Sequence, residues 1–107
     1  MERQEIIEEM KRRLVETFDP EAIILFGSAA RGDSGQNSDI DLLVLTPIEG
    51  KYNDLWFAMY ESLADLEAPK DLVLMTPAQF ERDKQYVGTI ARPAWKEGRI
   101  LYERKRS

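Results

Sequence analysis

The sequence predicts a small α/β (α+β) domain, a mixed β-sheet of about four strands flanked by helices. Three observations predict it. Short apolar runs near residues 22–26, 39–45, 70–75 and 99–103 have the length and the aliphatic or β-branched content of strands. The segments around them place apolar residues every three or four positions, the period of a helix face. A chain of 107 residues closes around one core with little room for another, so residues 1–107 read as a single layered domain.

Residues 2–18 put Ile7, Met10, Leu14 and Phe18 on one helical face, with Ile6 and Val15 widening it. Glutamates crowd the first half and Lys11, Arg12 and Arg13 follow, the order the helix dipole favours. Asp19-Pro20 stops this helix, because a residue before proline is pushed out of helical geometry. A strand covers about Ala22 to Phe26, and a polar loop leads to a second strand at about Asp39 to Leu45. Asn53 is the expected N-cap of a helix from about Asp54 to Leu66, with Trp56, Met59, Tyr60 and Leu63 on one face. Tyr52, Trp56 and Tyr60 are read as core rather than interface. Ala68-Pro69 ends that helix, and a third strand runs from Lys70 to Met75.

Thr76-Pro77-Ala78-Gln79 is a helix start: a hydroxyl cap, proline at the first position and glutamine three residues after the cap. Val87 to Glu97 again has helical spacing and stops at Gly98, but Pro93 inside it predicts a kink or break near Arg92. Arg99 to Glu103 is the last strand, expected at an edge.

Composition narrows the chemistry. The chain has no cysteine and no histidine, which removes disulfides, thiol nucleophiles, Cys/His zinc sites and histidine bases. What remains is carboxylates, hydroxyls, Lys/Arg and a hard, oxygen-loving metal. No apolar stretch has the length of a membrane span or the form of a signal peptide, so the expected location is the cytoplasm and no membrane contact is expected. Residues 1–80 carry 16 acidic and 7 basic side chains, a net −9, whereas residues 81–107 carry 4 and 8, a net +4. The basic tail reads as a solvated face or as a contact for an acidic partner. An acidic protein is not a natural nucleic-acid binder, so direct nucleic-acid binding is not expected.

The chemistry concentrates between Ile23 and Leu45. Gly27-Ser28 at a strand's end offers backbone N–H groups and a hydroxyl where phosphate oxygens can be cradled. Gly27 lets the backbone approach closely, and Gly32 permits the turn that carries the chain away. Arg31 suits a phosphate or an aspartate, or pairs with Asp33 on the surface. Asp39 and Asp41 are two apart on a strand, so both carboxylates lie on one face; by themselves they either face water or hold Mg²⁺ between them. Asp71 opens another apolar strand as Asp39 does, and joins the pair if those strands are neighbours. It is the candidate to share the metals or take a proton from an attacking hydroxyl. Lys70 beside it is a phosphate contact or an exposed strand-end lysine.

The run G-S-x-x-R-G, a short loop, then S-D-I-D-L-L-V resembles the signature of the polymerase-beta-type nucleotidyltransferase superfamily. The small size and leading helix resemble its minimal nucleotidyltransferase branch, the antitoxin halves of pairs with a HEPN-family ribonuclease toxin. That resemblance implies the nucleotidyltransferase fold, with Gly27, Ser28 and Arg31 binding the nucleotide and Asp39, Asp41 and Asp71 as catalytic residues holding two Mg²⁺. It further implies Mg²⁺-dependent transfer of AMP from ATP to a hydroxyl, a tyrosine of the HEPN toxin. Pro93 departs from the uninterrupted helix such domains usually have. Two other functions stay open: an antitoxin that neutralises its partner by binding alone, and a nucleotidyltransferase acting on a small molecule of the aminoglycoside kind.

Overall fold

Ile6, Ile7, Met10 and Leu14 recur at helical spacing, and in a computed structural model, which describes residues 1–31 and 39–105, they form the buried stripe of α1 (Arg3–Phe18). Asp19 ends the helix in the left-handed region (φ 49°), its N–H donating to the Val15 carbonyl at 3.1 Å. There follow β1 (Ala22–Phe26), the one-turn helix α2 (Ser28–Arg31), β2 (Ile40–Leu45), α3 (Tyr52–Leu63), β3 (Lys70–Met75), α4 (Pro77–Asp83), α5 (Ala91–Glu97) and β4 (Arg99–Glu103). The expected polar loop from Asp33 to Asn37, with Gly32, Ser38, Arg106 and Ser107, lies outside the described residues.

The sheet order is β3-β2-β1-β4. β1 pairs antiparallel with both β2 and β4, whereas β2 and β3 run parallel, with α3 in the connection between them. This is the mixed four-stranded sheet the sequence predicts. Alternation along each strand sorts its side chains to two faces. Ile40, Leu42 and Val44 pack with α1 and α3 through Met10, Leu14, Met59 and Leu63. Leu43 and Leu45 pack with Phe80 of α4 and with Ala91 and Ala94 of α5. Gly98 ends α5 where a Cβ would run into the Ala94 carbonyl and the Ile24 side chain, so only glycine lets the helix end this close to the sheet.

Three helix boundaries, one strand start and one short helix differ from the sequence reading. Asp39 is not yet strand, but the chain between Gly27 and Arg31 is helical rather than a plain turn. α3 begins at Tyr52 with Lys51 at its N-cap, so Asn53 is not the cap. Tertiary bonds set that start: the Tyr52 hydroxyl accepts from the Leu74 N–H at 3.1 Å, and the Trp56 indole N–H donates to the Leu72 carbonyl at 2.7 Å. The aromatic face of α3 is thus bound along the outer side of β3, with Trp56 and Tyr60 stacked at 4.9 Å. α3 also stops at Leu63; Leu66 N–H turns back to the Leu63 carbonyl at 3.1 Å while its side chain remains buried. Finally, residues 84–90 are turns, and α5 starts only at Ala91. Pro93 then falls in a first turn, whose N–H groups have no partner within the helix, so its missing N–H costs little there. The Thr89 hydroxyl accepts from the Arg92 N–H at 3.3 Å and supports that start. α4 is as read: the Thr76 hydroxyl accepts from the Gln79 N–H at 3.1 Å, with Pro77 first in the helix.

Two consequences can be measured. Trp56→Phe keeps the packing but removes the bond to Leu72; the expected cost is about 1 kcal/mol, read as a fall in Tm of roughly 4–8 °C. Arg12, and then Arg13, hold the Glu9 carboxyl down to about 2 from an ordinary 4.5. A depressed carboxyl contributes stability that is present above 4.5 and is lost as pH falls toward about 2. Glu9→Gln is therefore expected to flatten the acid limb of Tm against pH in that window. The effect is small because Glu9 and both arginines lie at the surface.

Candidate active site

The site is built at one end of the sheet, where β1 finishes and β2 and β3 begin. Antiparallel register puts Phe26 of β1 opposite Asp41 of β2. Gly27 is the next residue, and its φ of 72° turns the chain into α2. The Ala30 and Arg31 N–H groups close that turn on the Gly27 carbonyl at 3.2 and 3.4 Å. A Cβ built on Gly27 would collide with Oδ2 of Asp41. The carboxylate of Asp41 therefore lies directly against the backbone of the Gly-Ser turn.

Parallel register pairs Asp41 with Asp71 across β2 and β3. Register partners on neighbouring strands lie side by side on one face. Asp39, just ahead of the strand, lies near enough for its charge to act on Asp41. The separate aspartates of the sequence are thus brought to one sheet end, together with Gly27 and Ser28. Asp41 is half-buried, while Asp39 and Asp71 are exposed. One oxygen of Asp71 accepts from the Leu72 N–H at 3.0 Å, which fixes that side chain at the start of its strand.

Burial raises the Asp41 pKa, and the negative charges of Asp71 and Asp39 raise it further; Arg3 opposes them. Arg3 comes from the first turn of α1 and donates to the Asp39 carbonyl at 3.3 Å. Nothing local in the sequence points to Arg3, which stands 36 residues from Asp39 and meets it only through folding. Among the described residues no three acidic side chains converge tightly enough to enclose an ion alone. Mg²⁺ does not need such a cage, since it binds through one or two carboxylates and keeps water and phosphate oxygens for the rest of its shell. Asp41 and Asp71, with Asp39 beside them, are a set of hard oxygen donors of that kind.

Ser28 opens α2, and Arg31 closes it with a guanidinium 3.6 Å from the Glu97 carboxylate of α5. Asp33, the surface partner considered for Arg31, lies outside the described residues. Lys70 turns away from the site: its ammonium donates to the Leu66 and Ala68 carbonyls, each at 3.0 Å. It closes the turn after α3 instead of reaching for phosphate. In the basic tail, Arg104 pairs with Asp19 and with Glu21, the latter at 3.6 Å. A groove of about 770 Å³ past Phe80, Trp95 and Ile100 contains none of the residues at the sheet end. Charge and backbone approach, rather than volume, mark the candidate site.

The profile of the nucleotidyltransferase domain matches residues 4–102. No curated protein matches the chain. Among solved structures, a toxin–antitoxin complex with AMP-PNP aligns over 97% of this chain and 76% of that one, with TM-score 0.64 and 23% identity. A Sulfolobus solfataricus protein described as a candidate nucleotidyltransferase aligns over 94% and 79%, with TM-score 0.65 and 20% identity. A Shewanella oneidensis complex of tri-AMPylated HEPN toxin with MNT antitoxin aligns over 94% and 72%, with TM-score 0.58 and 23% identity. At these identities the likeness to the solved structures is one of fold.

Proposed function

The chain belongs to the nucleotidyltransferase domain family, and from that premise we propose that it transfers AMP from ATP to a tyrosine hydroxyl of a HEPN-type toxin, and so acts as its antitoxin. The observation that carries the reading is the place of Asp41, against the Gly27 backbone on one side and in register with Asp71 on the other. The phosphate-cradling turn and the acidic group that must act on the same phosphate are thereby neighbours. Structural neighbours that include an AMP-PNP complex and an AMPylated toxin support the choice of nucleotide and acceptor.

In this mechanism the turn at Gly27 and Ser28 cradles the triphosphate, and Arg31 adds a cation beside it. Asp39, Asp41 and Asp71 fit Mg²⁺ because they are hard oxygen donors held in mutual repulsion, with a glycine where any side chain would displace Asp41. Two Mg²⁺ held there would supply positive charge to the triphosphate and to the attacking oxygen. Asp71, exposed at its strand's start, takes the proton of the acceptor hydroxyl. The acceptor oxygen bonds to the α-phosphorus in line as the bond to the β-phosphate oxygen breaks, and pyrophosphate leaves. Each AMP added brings a phosphate charge to the toxin, which repels RNA from that enzyme's site. Residues 1–107 work as one domain in the cytoplasm beside the partner.

Intact-mass spectrometry tests the reading directly. The toxin is co-expressed with the wild-type chain and with an Asp39→Asn/Asp41→Asn variant. The expected result is a mass gain of one or more AMP groups with wild type and none with the variant. A toxin that is unmodified yet bound and inhibited establishes neutralisation by binding alone.

A further inference from the structure

The short helix α2 is seated through its two alanines. Ala29 and Ala30 pack against the core that α1 and α3 share. Ser28 and Arg31, three residues apart, stand together on another side of the same turn. α5 belongs to the opposite layer, where Ala91 and Ala94 pack with Ile24 and Leu43. Its last residue, Glu97, meets Arg31 with a guanidinium nitrogen 3.6 Å from the carboxylate. This ion pair joins the two layers at the end of the sheet where β1 gives way to the Gly27–Ser28 turn.

The main chain at Glu97 is fixed to that same strand. The Gly98 N–H donates to the Ala94 carbonyl at 3.0 Å, and a glycine at 98 lets the helix end rest against Ile24. Arg99 then pairs antiparallel with Leu25. Counted from that pair, Glu97 lies two residues back and Gly27 two residues on, both toward one end of the sheet. The glutamate is thus anchored, through α5 and β4, to the strand that delivers the turn.

The Arg31 and Glu97 side chains are 47% and 58% exposed, and a pair so exposed contributes little to stability. What it can do is orient. A guanidinium carries five N–H donors in a fixed plane, so a carboxylate can hold one edge while other donors remain for phosphate oxygens. Resting on the nucleotidyltransferase reading above, we propose that Glu97 is a positioning residue for nucleotide binding. It holds the Arg31 guanidinium beside the Gly27–Ser28 turn, so the triphosphate meets a cation already in place. The rotamer entropy of a long side chain is then lost before the nucleotide arrives rather than at its expense.

The test titrates the full chain, with Mg²⁺, by calorimetry against α,β-methylene ATP, an analogue that cannot release pyrophosphate. Glu97→Gln keeps the shape and removes the charge, at a side chain exposed enough to leave the fold unaltered. Its affinity is expected to fall about three- to fivefold, the scale of one exposed charge pair. Arg31→Gln is expected to bind more weakly still, and adding Glu97→Gln to it should cost nothing further, because the group to be positioned is gone. In AMP transfer to the toxin, Glu97→Gln should raise KM for ATP by the same factor and leave kcat unchanged. The sign is diagnostic, since a carboxylate that merely repelled the triphosphate would give tighter binding when neutralised. Equal or tighter binding by Glu97→Gln, or the same loss with and without Arg31, overturns the positioning role and leaves the nucleotide site intact. Failure of the wild-type chain to bind the analogue overturns the nucleotidyltransferase reading, and the positioning role with it.

Discussion

Asp41→Asn is expected to lower the proposed AMP transfer by roughly a thousandfold or more while leaving the domain folded, because it removes a carboxylate from the proposed metal-binding set. The same change is expected to stabilise the metal-free protein. Burial and the charges of Asp71 and Asp39 push the Asp41 pKa above its ordinary 3.8. A carboxyl raised in the native state binds its proton more readily there than in the unfolded chain. Its ionisation therefore opposes folding increasingly as pH climbs above 3.8. Asparagine has the same shape without the charge. In chelator at neutral pH the variant should melt about 2 °C or more above wild type. That gain should disappear in acid, where Asp41 is protonated in both states. A loss of activity accompanied by a lower Tm at neutral pH would instead mean that Asp41 serves the fold.

Gly27→Ala is expected to damage fold and catalysis together. The backbone there has φ 72°, a conformation costing an L-residue roughly 1–2 kcal/mol, and the added Cβ collides with Oδ2 of Asp41. Either the turn or the aspartate must move. A destabilisation of about 2–3 kcal/mol, visible in denaturant melts, should accompany a loss of transfer of about a hundredfold or more, since a 1 Å misplacement at a reacting centre has that scale. Pairing Gly27→Ala with Asp41→Asn separates the two effects. The double variant should recover part of the lost stability and none of the activity, because the displaced group no longer carries charge. Full activity in Gly27→Ala would show that backbone and carboxylate are not coupled as their contact implies.

Strands were the most legible part of the fold. The runs Ala22–Phe26, Lys70–Met75 and Arg99–Glu103 are short, have apolar centres and are flanked on at least one side by Gly or Pro, and each forms over the residues expected. Helix ends were less legible because local caps compete with tertiary bonds. Asn53 has good cap chemistry, yet Tyr52 and Trp56 start α3 earlier by bonding to β3. Residues 87–90 have helical spacing, but Val87 and Ile90 are exposed, so no buried face was there to propagate a helix. At the candidate site, the Asp39/Asp41 spacing and the Gly-Ser turn could be read directly. That Asp71 stands in register with Asp41 depends on the parallel pairing of β2 with β3, which spacing does not encode. Arg3, from a segment remote in sequence, carries no motif at all.

The bonds from Tyr52 and Trp56 to the outer side of β3 have a consequence beyond stability. An edge strand with open N–H and C=O groups is a template on which another chain can add a strand. At Leu72 and Leu74 those groups are already engaged. At the other edge, β4 meets β1 with a bulge between Ile23 and Ile24, which breaks the regular ladder an incoming strand would copy. Both margins of the sheet are thereby poor places for strand addition. Copies of this protein are therefore not expected to zip together through their sheets, and any partner would be met through side chains and surface shape rather than by an added strand.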